Sequence, residues 1–125
     1  MDLKISEMMR LQQELFELHK DKWSPIKPEY GRQFFLWMME EMGEAIAIIK
    51  KKGDRAIMEE PIVRAAFCEE MSDVLMYYHD ILLRYNITAE EISNAYQQKH
   101  DRNMKRDYAA ENKKMLSADK SFTGK

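Results

Sequence analysis

Apolar residues recur every three or four positions through most of this chain, and the rhythm outlines its elements. Met8, Leu11, Leu15 and Leu18 share one helical face. Their spacing predicts a first helix over residues 5–20, with Ser6 as its N-cap. Residues 21–31 hold Pro25, Pro28 and Gly31 and interrupt the rhythm as a loop does. It resumes in Phe34, Met38, Met42, Ala45 and Ile49, which fall within about 40° of one line on a second helix over residues 32–52. Lys50, Lys51 and Lys52 followed by Gly53 close that helix, cations meeting its negative end and glycine accommodating a left-handed turn.

After a short turn over residues 54–60, Pro61 suits the first position of a third helix, because its missing N–H would have no partner there. The stripe Phe67, Met71, Val74, Tyr78 and Ile81 carries that helix to Arg84. Thr88 with Glu91 three residues later forms a capping box. It starts a fourth helix through Ile92, Ala95, Tyr96, Lys99, Asn103 and Arg106. No stripe persists beyond Tyr108, so residues 109–125 are expected as a frayed polar tail. The absence of any strand signal makes the fold class all-α, a four-helix bundle-like core over residues 1–108.

Two stretches repeat one template. Glu40, Glu41, Met42, Gly43, Glu44, Ala45 and Ile46 are matched by Glu69, Glu70, Met71, Ser72, Asp73, Val74 and Leu75. Residues three apart on a helix project side by side, so Glu41 pairs with Glu44 and Glu70 with Asp73. Each pair flanks its helix's apolar stripe at about 60°. Packing stripe against stripe would bring four carboxylates together, where they need protonation or a cation. Mg²⁺ suits such a site, since it takes oxygen ligands and keeps waters for a phosphate substrate. An isolated ExxE is more simply a solvated helix face; duplication in phase with both stripes favours the metal.

Composition narrows the alternatives. With 125 residues the chain forms one domain, small enough to gain from oligomerisation. A net charge of -2 points to neither nucleic acid nor anionic membrane. The longest apolar run, residues 34–39, is too short to span a bilayer. The single cysteine, Cys68, forms no intrachain disulfide and suits a reducing cytoplasm; at its helical spacing it reads as packing rather than as a nucleophile. No glutamate stands three residues before His19, His79 or His100, which argues against a ferritin-like di-iron site and leaves them as surface or hydrogen-bonded histidines.

These residues resemble the all-α NTP pyrophosphatases, the superfamily of MazG-like proteins, dimeric dUTPases and dCTPases. The resemblance rests on the pattern EExxE, a spacer, then ExxD, met here by Glu40, Glu41 and Glu44, then Glu70 and Asp73. Lys99, Asn103 and Arg106, followed by Tyr108, are similar to the family's KxxxNxxR segment. The matching parts cover roughly residues 5–108. The resemblance implies Mg²⁺-dependent cleavage of a nucleoside triphosphate between its α and β phosphates, with Mn²⁺ as a substitute ion. By position Glu41, Glu44, Glu70 and Asp73 would be metal ligands, and Glu40 or Glu69 would orient them or accept a proton from water.

Lys99, Asn103 and Arg106 share a helix face and would meet the phosphates. Trp37, on the carboxylate side of the second helix, is the first candidate for a base platform, with Trp23 the second. Gln12 and Gln13 are candidates to read a base edge, though exposed glutamine is the commoner explanation. Residues 34–39 are apolar on every face, so a homo-oligomer, dimer or tetramer, is expected. A non-catalytic helical assembly module and a phosphoribosyl-ATP pyrophosphohydrolase stand as alternatives.

Overall fold

Each segment with helical spacing folds as a helix in the computed structural model. It describes the backbone of residues 1–123 and their side chains except those of Tyr108 and residues 117–123. The helices are α1 (Ile5–His19), α2 (Gly31–Lys52), the short α3 (Asp54–Glu59), α4 (Pro61–Arg84), α5 (Ala89–Lys105) and α6 (Tyr108–Thr123). Among the described residues there is no strand, so the chain is all-α. None of the described helices is long and apolar enough to cross a membrane.

The helix ends follow local chemistry. α1 begins before the expected cap: the extended Lys4 donates its backbone N–H to Glu7 Oε1 at 2.9 Å, leaving Ser6 inside the helix. A 3-10 turn over Pro28–Tyr30 leads into α2. The first residue of α2, Gly31, is buried under Tyr85, whose ring would clash with any Cβ at that position. α2 ends as expected at Gly53, with φ 84° and its N–H donating to Ile49 O at 2.9 Å. α4 opens on Pro61 and closes through the left-handed Asn86, φ 55°. There Ile87 N–H donates to Leu82 O at 2.9 Å, which satisfies a terminal carbonyl.

The chain divides into two compact units, Met1–Ala89 and Glu90–Lys125, whereas the sequence pattern suggested a helical domain running to residue 108. In the first unit α4 is central and touches α1, α2 and α3. Its core holds Met9, Phe34, Ala45, Ala56, Ile81 and Leu82 together with the polar residues Gln12, His79, Asp80 and Arg84.

The expected stripes are only partly buried. Phe34, Ala45 and Ile81 go inside, but Met42 and Met71 are 47% and 48% exposed, and Ile49 and Tyr78 are exposed as well. Met38, Met42, Phe67, Met71, Val74 and Tyr78 instead line an open apolar groove. Helical spacing selects residues on one face of a helix; it does not tell which turns of that face are covered.

In the second unit, residues 108–123, most of them in the stretch expected as a polar tail, form α6. Asp107 Oδ1 accepts Ala110 N–H at 3.1 Å, an N-terminal cap. The following Ala109, Ala110, Glu111, Lys113, Lys114, Met115 and Leu116 favour helix intrinsically. A cap and propensity form the helix without a regular buried stripe. Gly124 and Lys125, the end of that expected tail, lie outside the described residues.

Candidate metal centre and adjoining cavity

Packing of α2 on α4 brings three carboxylates together. Glu41 from α2 and Glu70 and Asp73 from α4 each offer an oxygen, and these atoms lie within 4.8 Å of one another. All three side chains are half-buried. An octahedral Mg²⁺ with bonds of about 2.1 Å spaces its oxygens about 3.0 Å apart at right angles and about 4.2 Å across the ion. Small rotations of the three side chains therefore reach its coordination shell, and the all-oxygen donor set fits a hard divalent cation.

The electrostatics agree with that fit. Burial, a hydrogen bond shared with Glu70, and the charges of Asp73, Glu70 and Glu44 all push the Glu41 carboxyl above its ordinary value. A cation would relieve each of these charge contributions. Glu44, expected as a fourth ligand, is exposed and stands outside the group of three, though its charge reaches Glu41. Glu40 and Glu69 are also exposed.

A cavity of about 410 Å³ opens beside the carboxylates, and Glu41 and Asp73 form part of its wall. Trp23, Phe34, Trp37 and Tyr77 supply aromatic surface, and Gln12, Lys22, Ser24 and Asp80 supply polar groups. Both tryptophans named from the sequence thus line one space. Trp37 meets Phe34 edge-on at 4.8 Å, and Trp23 stacks on His19 at 4.9 Å. Gln12 is buried and donates to Asp80 Oδ2 at 3.3 Å, while Gln13 lies away from it and donates to Glu17.

Tyr77, four residues after Asp73, was not foreseen. Burial first, then the charges of Glu41 and Asp73, raises its phenol pKa, so it stays neutral and keeps its proton beside the carboxylates. An aromatic residue one helical turn from a ligand candidate is the signal that would have found it.

The foot of the cavity holds the most enclosed charges. Arg84 donates through Nε to Asp80 Oδ1 and through Nη1 to Pro25 O, and both Nη atoms reach Ser24 O at 3.3 Å. Its guanidinium also lies 3.6 Å from the Phe34 ring centroid. Neither Asp80 nor Arg84 has a sequence signature, since each is an ordinary charged residue near a helix end.

Within the second unit, Lys99 and Asn103 belong to α5, and Arg106 follows its last turn. Arg106 donates to Asn103 Oδ1 at 3.2 Å and to both carboxylate oxygens of Glu111, at 3.0 and 2.8 Å through Nε. That partner holds Glu111 below the usual carboxylate range. His79 is buried rather than at the surface: Nε2 lies 3.2 Å from Met8 Sδ, and among the described residues Nδ1 has no partner.

No family model, curated protein or solved structure matches the chain.

Proposed function

We propose that this chain is a Mg²⁺-dependent nucleoside triphosphate pyrophosphohydrolase of MazG-like type. It cleaves the α–β phosphate bond of an NTP or dNTP to give a monophosphate and pyrophosphate. One observation carries this reading: Glu41, Glu70 and Asp73 converge, and two of them, Glu41 and Asp73, line an aromatic cavity large enough for a base and sugar. The EExxE and ExxD motifs that supply them are the ones that resemble the superfamily.

Glu41, Glu70 and Asp73 would hold the cation, with Glu44 near enough to join or orient them. The bound ion supplies charge neutralisation and alignment of the phosphates. The protein's own tasks are positioning and proton handling. Trp37 and Trp23 offer flat surface to the base, and Gln12 a hydrogen-bonding edge. Tyr77, neutral and beside the carboxylates, is a donor to a phosphate oxygen. Water attacks the α-phosphorus, the bridging oxygen leaves with pyrophosphate, and Glu40, Glu44 or Glu69 takes the water's proton. For Lys99, Asn103 and Arg106, which belong to the second unit, a phosphate-binding role is what the resemblance implies.

The work of such an enzyme in a reducing cytoplasm is house-cleaning of the nucleotide pool, carried out as a homo-oligomer. The exposed groove around Met42 and Met71 favours association and also supports a second reading, a non-catalytic assembly module. Pyrophosphate release from a panel of ribo- and deoxynucleoside triphosphates, with and without Mg²⁺, separates the two. Metal-dependent release that Glu41→Gln and Asp73→Asn abolish is the expected result, and phosphoribosyl-ATP belongs in the panel. No release from any substrate by folded protein would favour the assembly module.

A further inference from the structure

Lys22 is the only cation among the described residues that line the cavity beside Glu41 and Asp73. The other charge on that wall, Asp80, is already paired with Arg84. Lys22 stands in the link between α1 and α2 and is exposed, so its ammonium is hydrated and mobile.

The backbone that presents it is held from both sides. Lys22 N–H and Trp23 N–H both donate to His19 O, at 2.9 and 3.0 Å, and the Trp23 ring stacks on His19. Immediately beyond, the carbonyls of Ser24 and Pro25 accept from Arg84. A buried ion pair is costly to desolvate. Here it anchors the stretch that carries both Lys22 and Trp23 to the cavity. Binding a ligand then costs the ordering of the Lys22 side chain, with the loop already in place.

We propose that Lys22 is a further substrate-binding residue that grips the phosphate chain of a ligand whose planar ring lies on the cavity's aromatic wall. This rests on the pyrophosphohydrolase reading and names the group of the cavity wall that answers the substrate's negative charge. A triphosphate brings several negative charges to three carboxylates, and one divalent cation leaves that sum negative. A flexible ammonium at the cavity wall offsets the excess and follows the phosphates as they move. The ligand class is therefore a ring-bearing polyphosphate, bound more tightly as its phosphates increase in number.

The test uses the full chain with Lys22→Gln and Lys22→Arg, both at an exposed position. The probes are an α,β-methylene nucleoside triphosphate and the matching monophosphate, each with Mg²⁺, and Mn²⁺ alone. Lys22→Gln is expected to weaken the triphosphate analogue about tenfold, as loss of one charge-assisted contact does. The monophosphate should lose much less, Mn²⁺ affinity should match wild type, and Lys22→Arg should restore most of the analogue's affinity. In turnover, KM rises about tenfold and kcat falls by a smaller factor.

An unchanged analogue affinity in Lys22→Gln, or equal losses for monophosphate and triphosphate, would overturn the proposal. So would a wild-type protein that binds no analogue. If wild type binds the analogue through Lys22 yet releases no pyrophosphate from any triphosphate, Lys22 stands and the hydrolytic reading falls.

Discussion

Asp80 and Arg84, one turn apart on α4, form an ion pair closed off from water, their side chains 1% and 0% exposed. The pair joins three parts of the first unit. Asp80 receives Gln12 from α1, while Arg84 holds the Ser24 and Pro25 carbonyls and lies over Phe34 of α2. Removing one partner leaves the other charge buried and alone. Arg84→Met is therefore expected to cost about 3–5 kcal/mol in urea unfolding. The double variant Asp80→Leu/Arg84→Met, which removes both charges, should recover a large part of that loss. A double variant no more stable than the single one would show that the carbonyl contacts, and not the stranded carboxylate, set the cost.

His79 makes the fold sensitive to acid. Burial lowers its pKa from the ordinary 6.5, and among the described residues Nδ1 has no acceptor to receive a proton's hydrogen bond. The unfolded chain takes up a proton as pH falls below 6.5, and the folded chain does so only at lower pH. Stability from this group is complete above the unfolded value and declines as pH drops toward the folded one. Chemical denaturation between pH 8 and 5 should reveal that decline, and His79→Leu should flatten it.

Glu41 works in the opposite sense. Its folded pKa lies above the ordinary 4.5, so the folded state binds the proton more tightly than the unfolded state. Stability is highest when Glu41 is protonated and declines as pH rises from 4.5 through the raised folded value. At neutral pH without metal, Glu41→Gln should raise Tm by roughly 2–4 °C. Saturating Mn²⁺ should raise the Tm of wild type and leave the variant nearly unmoved. A variant less stable than metal-free wild type would contradict the account of a strained carboxylate group.

Helix positions were legible because they depend on local chemistry. Pro61, Gly53 and Asn86 mark ends through their own backbone preferences, and the EExxE and ExxD spacing put Glu41, Glu70 and Asp73 on helix flanks that meet. The foot of the cavity was not legible. Arg84 reaches Ser24 and Pro25 across about sixty residues of sequence, and a lone charged residue near a helix end looks like surface. Lys22 was hidden for the same reason, in a link where lysines are ordinary. The stripes overstated burial at Met42 and Met71, since periodicity cannot say where a covering helix stops. α6 was missed because a cap and good propensity form a helix without a stripe to announce it.

That uncovered apolar face gives a prediction about assembly. Sedimentation at micromolar concentration should show a dimer or tetramer, and Met71→Lys, which puts a charge into the groove, should shift it toward monomer. A monomeric wild type would rule out the oligomer and leave the groove unexplained.

Glu41, Glu70 and Asp73 are expected to hold a divalent cation. The most direct test is titration of the metal-free protein with Mn²⁺, following the free ion by electron paramagnetic resonance, beside Asp73→Asn. Saturable binding that Asp73→Asn weakens at least about tenfold is the predicted result. A folded wild-type protein that leaves Mn²⁺ free up to millimolar concentration, with and without a nucleoside triphosphate analogue, would contradict it.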